Sequence, residues 1–126
     1  MSKTPVQEIG EQAENWALEY LKKQGLSLVA RNFHCHRGEI DLILKDKEDL
    51  VFVEVRYRQQ KGFGTGVETV NNAKQRKIIQ SAEYYLYSQK IWEHPCRFDV
   101  IGISFDTKQR VEIVWERNAF WGNCYI

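Results

Sequence analysis

The sequence predicts an α/β fold in which helices flank a mixed central β-sheet of about five strands. Within 126 residues, helical and strand patterns follow one another in the order helix, three strands, helix, two strands. Polar or glycine-containing turns separate these segments. Neither an internal repeat nor a linker divides the chain, and its length suits one hydrophobic core. We therefore expect a single domain over residues 1–126.

Two segments have the periodicity of amphipathic helices. The first covers about residues 6–24 and ends before Gly25, a residue that commonly follows a helix. The second begins near Asn71 or Asn72, either of which can cap it, and continues to about Gln89. Their apolar faces contain Ala13, Trp16, Ala17, Tyr20 and Leu21 in the first helix, and Ile78, Ile79, Ala82, Tyr85 and Leu86 in the second.

Five shorter segments are rich in apolar and β-branched residues and predict strands. They cover residues 26–33, 39–45, 50–58, 97–105 and 111–115. The polar turn 46–49 joins the second strand to the third and predicts a hairpin. Residues 62–66 have no regular pattern, and three glycines there predict a flexible loop.

The hairpin brings two acidic residues together. A symmetric turn pairs Lys45 with Leu50, and the same register then places Asp41 opposite Glu54. The other face of the hairpin is apolar and should pack on the core, with Ile40, Leu42 and Leu44 opposite Val55, Val53 and Val51. Opposed like charges are destabilising unless a cation cancels them. Two carboxylates suit Mg²⁺ or Mn²⁺, so the pair predicts a divalent-metal site, with a solvated polar sheet face as the alternative.

Three further polar residues lie near this pair in the predicted fold. Glu14 is at the edge of the first helix's apolar stripe and can reach inward, although it could equally be a half-exposed glutamate. Gln75 falls within the apolar stripe of the second helix, where it either faces the site or bonds to backbone. Arg56 follows Glu54 on the same strand face, and a salt bridge to Glu39 would explain it as well as a catalytic role would.

The net charge of +1 is unevenly distributed. Between residues 56 and 77 there are six basic side chains and one acid, so the rest of the chain is net negative. The six are Arg56, Arg58, Lys61, Lys74, Arg76 and Lys77. This concentration suggests a basic surface for an anionic partner, and a solvated basic helix face is the equal alternative.

The remaining composition bears on compartment and on zinc. Three widely spaced cysteines argue against a disulfide framework, and no apolar segment has the length of a membrane span or a secretory signal. We therefore expect a cytoplasmic protein. The spacing of residues 34–36, His94 and Cys96 matches no usual zinc pattern, which favours ordinary half-buried side chains.

Four short stretches carry a recognisable pattern. They are Gly38-Glu39-Ile40-Asp41-Leu42-Ile43, Val51-Phe52-Val53-Glu54-Val55-Arg56-Tyr57-Arg58, Lys74-Gln75 and Arg97-Phe98-Asp99-Val100. The chain resembles the YraN family of small bacterial proteins over nearly its whole length, with Glu14, Asn32 and Ala119-Phe120 matching as well. That family is similar to archaeal Holliday-junction resolvases, which implies a restriction-endonuclease-like fold.

The resemblance also implies roles. Glu14 corresponds to the helical acid, Asp41 and Glu54 to the metal ligands, and Gln75 to a polar residue near the metal in some members. Arg56 stands where the superfamily has lysine. Arginine stays protonated and cannot act as a general base, but it can hold a phosphate by two hydrogen bonds. The bound metal could activate the attacking water instead.

The expected function is therefore a Mg²⁺- or Mn²⁺-dependent endonuclease of structured DNA, such as a branched or junction-like molecule. The alternative is a catalytically weak or inactive nucleic-acid-binding module on the same fold. A third interpretation is a protein-interaction domain that does not bind nucleic acid. Cutting both strands of a symmetric junction would favour a two-fold homodimer.

Two features near the C-terminus leave alternatives open. Trp92, Trp121 and Tyr125 could form an interface or close the core, and the core is favoured. Asp99 could support the metal ligands from behind, although its spacing does not require that role.

Overall fold

The computed structural model describes residues 4–58 and 70–120. It contains the predicted helices and strands in the predicted order. They are α1 (Pro5–Lys23), β1 (Ser27–Cys35), β2 (Gly38–Asp46), β3 (Asp49–Arg58), α2 (Asn72–Ser88), β4 (Cys96–Phe105) and β5 (Val111–Phe120). No helix in these two ranges is long and apolar enough to cross a membrane.

The strands form one mixed sheet in the order β1-β2-β3-β4-β5. All neighbours are antiparallel except β3 and β4, which run parallel. A parallel pair needs a crossover connection, and α2 lies within it. The predicted α/β architecture, a five-stranded mixed sheet flanked by helices, is confirmed.

Capping residues set the N-terminal ends of both helices, and a glycine follows α1. Thr4 caps α1 and exchanges hydrogen bonds with Gln7, and Gly25 follows the helix with a φ of 99°. Of the two candidates for the cap of α2, Asn71 takes the role by accepting a hydrogen bond from the backbone N–H of Lys74. The start of α2 is thereby fixed, with Lys74 in its first turn.

The sheet is buried on both faces. One face packs against α1, with a core cluster that includes Leu42, Val51 and Val53. The opposite face packs against α2, with a cluster that includes Phe52 and Ile78. Successive residues of β3 therefore enter different clusters, which explains why this strand is apolar throughout rather than alternating with polar residues.

The predicted hairpin register is confirmed from the turn as far as Leu42, which pairs with Val53. The prediction that Ile40 shares a face with Leu42 and Leu44 is wrong. Ile40 packs in the α2 cluster, whereas Leu42 and Leu44 pack in the α1 cluster.

A distortion in β1 lies beside this change of face. Asn32 has a φ of 54°, between the paired residues Arg31–Leu42 and Phe33–Ile40. Arg31 consequently reaches α1, where its Nη2 lies 2.7 Å from Asn15 Oδ1, while Phe33 packs against the α2 cluster. The left-handed conformation of Asn32 thus changes the face of the sheet on which the following residues of β1 lie. The paired end of β2 changes face at the same place.

Asp99 stabilises a second irregularity of the sheet, which lies in β5. Its fully buried carboxylate accepts hydrogen bonds from the backbone N–H of Asn118 at 3.0 Å and from Trp115 Nε1 at 2.9 Å. Arg97 Nε also donates to it at 3.2 Å. Asn118 has a φ of 51°, and the pairing of β4 with β5 shifts register there. The bonds of Asp99 are thus those of a buried structural group.

The preference for Trp92 as a core residue is wrong. Its side chain is 57% exposed in the segment between α2 and β4. The other two aromatic residues of that prediction, Trp121 and Tyr125, lie outside the described residues, as does the predicted loop at residues 62–66.

Candidate metal and nucleic-acid site

Asp41 and Glu54 lie together where the described pairing of β2 with β3 ends. Their carboxyl groups form a hydrogen bond with one another. Asp41 Oδ2 also accepts a hydrogen bond of 2.8 Å from the backbone N–H of Val55. Glu54 is only 5% exposed. The structure therefore brings together the two acids that the hairpin register predicts.

The burial of this pair changes its protonation. Burial, and then the proximity of Asp41, raise the pKa of Glu54 to about 8. Burial also raises the pKa of Asp41, against the opposing effect of the Val55 N–H. Because the pKa of both acids is raised, the pair holds a proton to a higher pH than two exposed carboxyl groups would.

Two cations flank Glu54. Arg56 Nη1 lies 3.4 Å and Lys74 Nζ 3.7 Å from Glu54 Oε2, and both lower the pKa of Glu54. Arg56 comes from β3, as its position two residues after Glu54 predicts. Lys74 comes from the first turn of α2. The sequence analysis assigned Lys74 to the basic surface and did not predict its contact with Glu54. Its position one turn before the buried Ile78 is the signal that could have indicated it.

Glu14 points toward the sheet from α1, as predicted. Arg31 Nη2 lies 3.5 Å from Glu14 Oε1, and the Asn32 amide nitrogen, turned toward Glu14, donates to the same oxygen at 3.1 Å. Burial and the nearby Asp41 raise the pKa of Glu14, while Arg31 lowers it. Sequence reasoning gave Arg31 no role, and the structure makes it the cationic partner of Glu14.

A cleft of about 700 Å³ opens between α1 and the ends of β1 and β2. It is lined by Gln7, Gly10, Glu11, Glu14, Arg31, Asn32, Glu39 and Asp41. A Cβ atom added to Gly10 would meet no atom within 4 Å, so the side of the cleft formed by α1 has free space at this position. The volume is within the usual range for binding pockets, and the cleft gives solvent and ligands a route to Asp41.

Gln75 and Glu39 also had alternative interpretations from the sequence. Gln75 is half-buried, and its Nε2 donates to the backbone carbonyl of Val70 at 2.9 Å. This is the backbone-bonded alternative rather than a contact with the carboxylates. Glu39 Oε2 lies 3.2 Å from His34 Nδ1.

The remaining basic residues lie around this centre. Arg58 is half-buried at the end of β3, and Arg76 and Lys77 are exposed on α2. Lys61 lies outside the described residues. Among the described residues there is no group of three or more histidine, cysteine, aspartate or glutamate side chains placed to hold a metal ion.

The chain is similar to several proteins of known sequence or structure. Among solved structures, Pyrococcus furiosus SfsA in complex with Ca²⁺ aligns with a TM-score of 0.37 at 11% identity, over 82% of this chain and 58% of that protein. Among curated proteins, UPF0102 proteins of Alcanivorax borkumensis and Nitrosococcus oceani are each 48% identical to it. These matches cover 89% and 88% of this chain, and 90% of each relative.

A UPF0102 protein of Pseudomonas syringae pv. syringae is 41% identical over 95% of this chain and 98% of its own length. The family model described as "Uncharacterised protein family UPF0102" matches residues 13–103. This range holds the helical acid Glu14, both hairpin carboxylates and Lys74. The chain therefore belongs to the UPF0102 family, the YraN family that its motifs resemble.

Proposed function

We propose that this protein is a Mg²⁺- or Mn²⁺-dependent endonuclease that cuts structured DNA at the Asp41–Glu54 pair. The observation that supports this proposal most is the burial of two acids in hydrogen-bond contact, next to an open cleft. Burying two carboxyl groups together is unfavourable for their charged forms, and a divalent cation is the partner that would compensate both.

The donor atoms suit such a cation. Mg²⁺ prefers carboxylate oxygens, and it commonly uses one or two of them while keeping several waters. Asp41 and Glu54 would be its ligands, and the proton now shared by the pair would leave as it binds. Glu14 would assist from α1, with Arg31 and Asn32 fixing its orientation.

The chain's own cations would act on the phosphate. Arg56 and Lys74 approach the same oxygen of Glu54 from β3 and from α2, so a phosphate that reaches this point meets both. Arg56 can donate two parallel hydrogen bonds to phosphate oxygens and stabilise the charge that develops during hydrolysis. When bound, the metal would supply a more acidic water and further charge stabilisation.

The first turns of α2 would hold the DNA backbone. Lys74, Arg76 and Lys77 cluster there, and the first turn has no acidic residue. Cations are electrostatically unfavourable at the positive N-terminal end of a helix, and a bound phosphate would relieve this. Together with Arg58 and Lys61, these residues would give affinity without sequence preference, and the affinity should fall steeply with salt.

The second candidate function is nucleic-acid binding without efficient cutting. It is favoured by the arginine at the usual lysine position and by the engagement of Glu14 with Arg31. It predicts that Asp41→Asn leaves DNA binding intact or strengthens it, because a negative charge is removed.

The test is cleavage of labelled four-way-junction, flap and single-stranded DNA with Mg²⁺, Mn²⁺ or EDTA. Asp41→Asn keeps an oxygen acceptor for the Val55 N–H, so it changes the charge with little change in packing. Glu48→Gln, at an exposed turn residue, is the matched control for loss of one carboxylate. The nuclease proposal requires metal-dependent cutting by wild type and Glu48→Gln but not by Asp41→Asn. Salt-sensitive binding without cutting would favour the second candidate.

A further inference from the structure

Three aromatic side chains stand exposed at the C-terminal end of α2 and just beyond it. Tyr84 is 44% exposed, Tyr87 72% and Trp92 57%. The rings of Tyr87 and Trp92 lie 5.9 Å apart between centroids with an angle of 36° between their planes. We call these three residues the aromatic ridge. A group of large exposed rings of this kind usually marks a binding surface.

The aromatic ridge is continuous with the candidate site along α2. Lys74, which contacts Glu54, and Lys77 precede Tyr84 on one row of the helix surface, at intervals of three and seven residues. At 1.5 Å per residue, Tyr84 lies about 15 Å along the axis from Lys74. A strand that leaves the carboxylates along α2 would therefore reach the aromatic ridge.

Cations lie on α2 between the candidate site and the aromatic ridge, while the exposed Glu83, Lys90 and Glu93 flank the ridge itself. Arg76 and Lys77 are exposed on α2, while Glu83 is the single acidic residue of that helix. From the β1–β2 turn, the His36 ring packs edge-on against Tyr84 with centroids 5.3 Å apart, and the exposed Arg37 follows it. This arrangement of flat rings with cations alongside complements a chain of bases and phosphates.

We propose that the aromatic ridge binds an unpaired strand of the DNA substrate. Bases would stack on Tyr84, Tyr87 and Trp92, while Arg37, Arg76 and Lys77 contact the phosphates. Because every base has a flat face, such stacking selects unpaired DNA without selecting its sequence. This inference rests on the proposed function for the position of the cut, and it defines the substrate class as DNA with a single-stranded segment next to the site.

The first experiment measures binding in EDTA, so that no cleavage occurs. Fluorescence anisotropy would compare a blunt duplex with the same duplex carrying a single-stranded tail. The variants are Tyr84→Leu/Tyr87→Leu and the control Tyr84→Phe/Tyr87→Phe, which keeps both rings. We expect the leucine pair to weaken binding of the tailed duplex about tenfold and leave the blunt duplex unchanged. The phenylalanine pair should bind like wild type.

Tryptophan emission gives an independent readout. Single-stranded DNA should quench the wild-type emission, and Trp92→Phe should lose most of that change. Equal affinity of wild type for tailed and blunt duplexes would overturn the proposal. The proposal would also be overturned if the leucine pair bound the tailed duplex like wild type. If that variant also lost self-association, measured by sedimentation, the ridge would instead contact a second copy of the chain.

This test separates the two proposals. Tail-dependent binding with no metal-dependent cutting would support the aromatic ridge and contradict the nuclease. Metal-dependent cutting with no preference for a tail would support the nuclease and contradict the ridge.

Discussion

The carboxyl groups of Asp41 and Glu54 lie in hydrogen-bond contact, and burial raises the pKa of both. One carboxyl comes from each arm of the hairpin, at the point where the described pairing of the arms stops. The protonation of this pair therefore links folding stability, pH and metal binding.

The first prediction concerns stability against pH. The pKa of Glu54 is raised from about 4.5 to about 8, so between these values the folded protein binds more protons than the unfolded one. The contribution of Glu54 to the free energy of unfolding should therefore be highest below pH 4.5. This contribution should fall as the pH rises toward 8. The slope is at most about 1.4 kcal/mol per pH unit for one proton.

Thermal unfolding from pH 5 to pH 8.5 in EDTA would measure this effect. Glu54→Gln, which cannot ionise, should flatten that part of the profile. In a second series without EDTA, added Mn²⁺ should raise the melting temperature more at pH 8 than at pH 5, because at low pH it must displace a proton. A wild-type profile identical to that of Glu54→Gln would contradict the assigned protonation.

The second prediction distinguishes two neighbouring lysines. Lys74→Met removes a cation 3.7 Å from Glu54 Oε2, so the pKa of Glu54 should rise further and the loss of stability should move to higher pH. Lys77→Met removes the same charge one turn away on the exposed surface. It should weaken DNA binding and leave the pH profile unchanged. Equal shifts in both variants would contradict a direct effect of Lys74 on Glu54.

The third prediction concerns Asp99. Asp99→Ala would leave Arg97 without one of its buried partners and remove the acceptor of the Asn118 N–H, so we expect a loss of about 3 kcal/mol in unfolding free energy. Arg97 would still have Asp46 as a partner, 2.8 Å from its Nη2. The expected loss is therefore near the lower end of the range for broken buried ion pairs. Asp99→Asn removes the same charge but keeps one acceptor oxygen, so it should lose less. Denaturant unfolding measures both, and equal losses would indicate that the charge of Asp99, rather than its acceptor atoms, is the cause.

The fourth prediction concerns the left-handed residue of β1. Asn32→Gly fits a φ of 54° without strain, whereas Asn32→Ala should cost about 1 kcal/mol more in folding stability. Both variants lose the amide that donates to Glu14, so any cleavage activity should fall similarly in the two. A drop in cleavage confined to the alanine variant would indicate that backbone geometry, rather than the amide, supports Glu14.

Much of the fold could be predicted because it is local in sequence. The two-residue alternation and the polar turn set the hairpin register, and hence the meeting of Asp41 with Glu54. Ile40 was placed on the wrong face because the alternation holds only for regular strands, and a positive φ at Asn32 is not visible in a residue pattern. The preference for Trp92 in the core had no periodic pattern behind it, because the residue lies between α2 and β4.

The site could be predicted only in part. Lys74 reaches Glu54 from another element, so its contact depends on how α2 docks onto the sheet, which periodicity does not specify. The partners of Glu14 depend in the same way on how α1 packs over β1. Gln75 had two interpretations from its helical position, and only its distance to the Val70 carbonyl favours one of them.

The hydrogen bond from the Val55 N–H to Asp41 Oδ2 has a further consequence. The backbone donor uses only part of the acceptor capacity of the Asp41 carboxylate, which has about four lone-pair sites. The N–H therefore fixes the direction of the carboxylate while leaving it free to act as a ligand. A cation that bound there would meet an acid already held in place by the main chain. A phosphate that brought its own oxygens to that cation would add ligands, so metal and DNA should each raise the other's affinity.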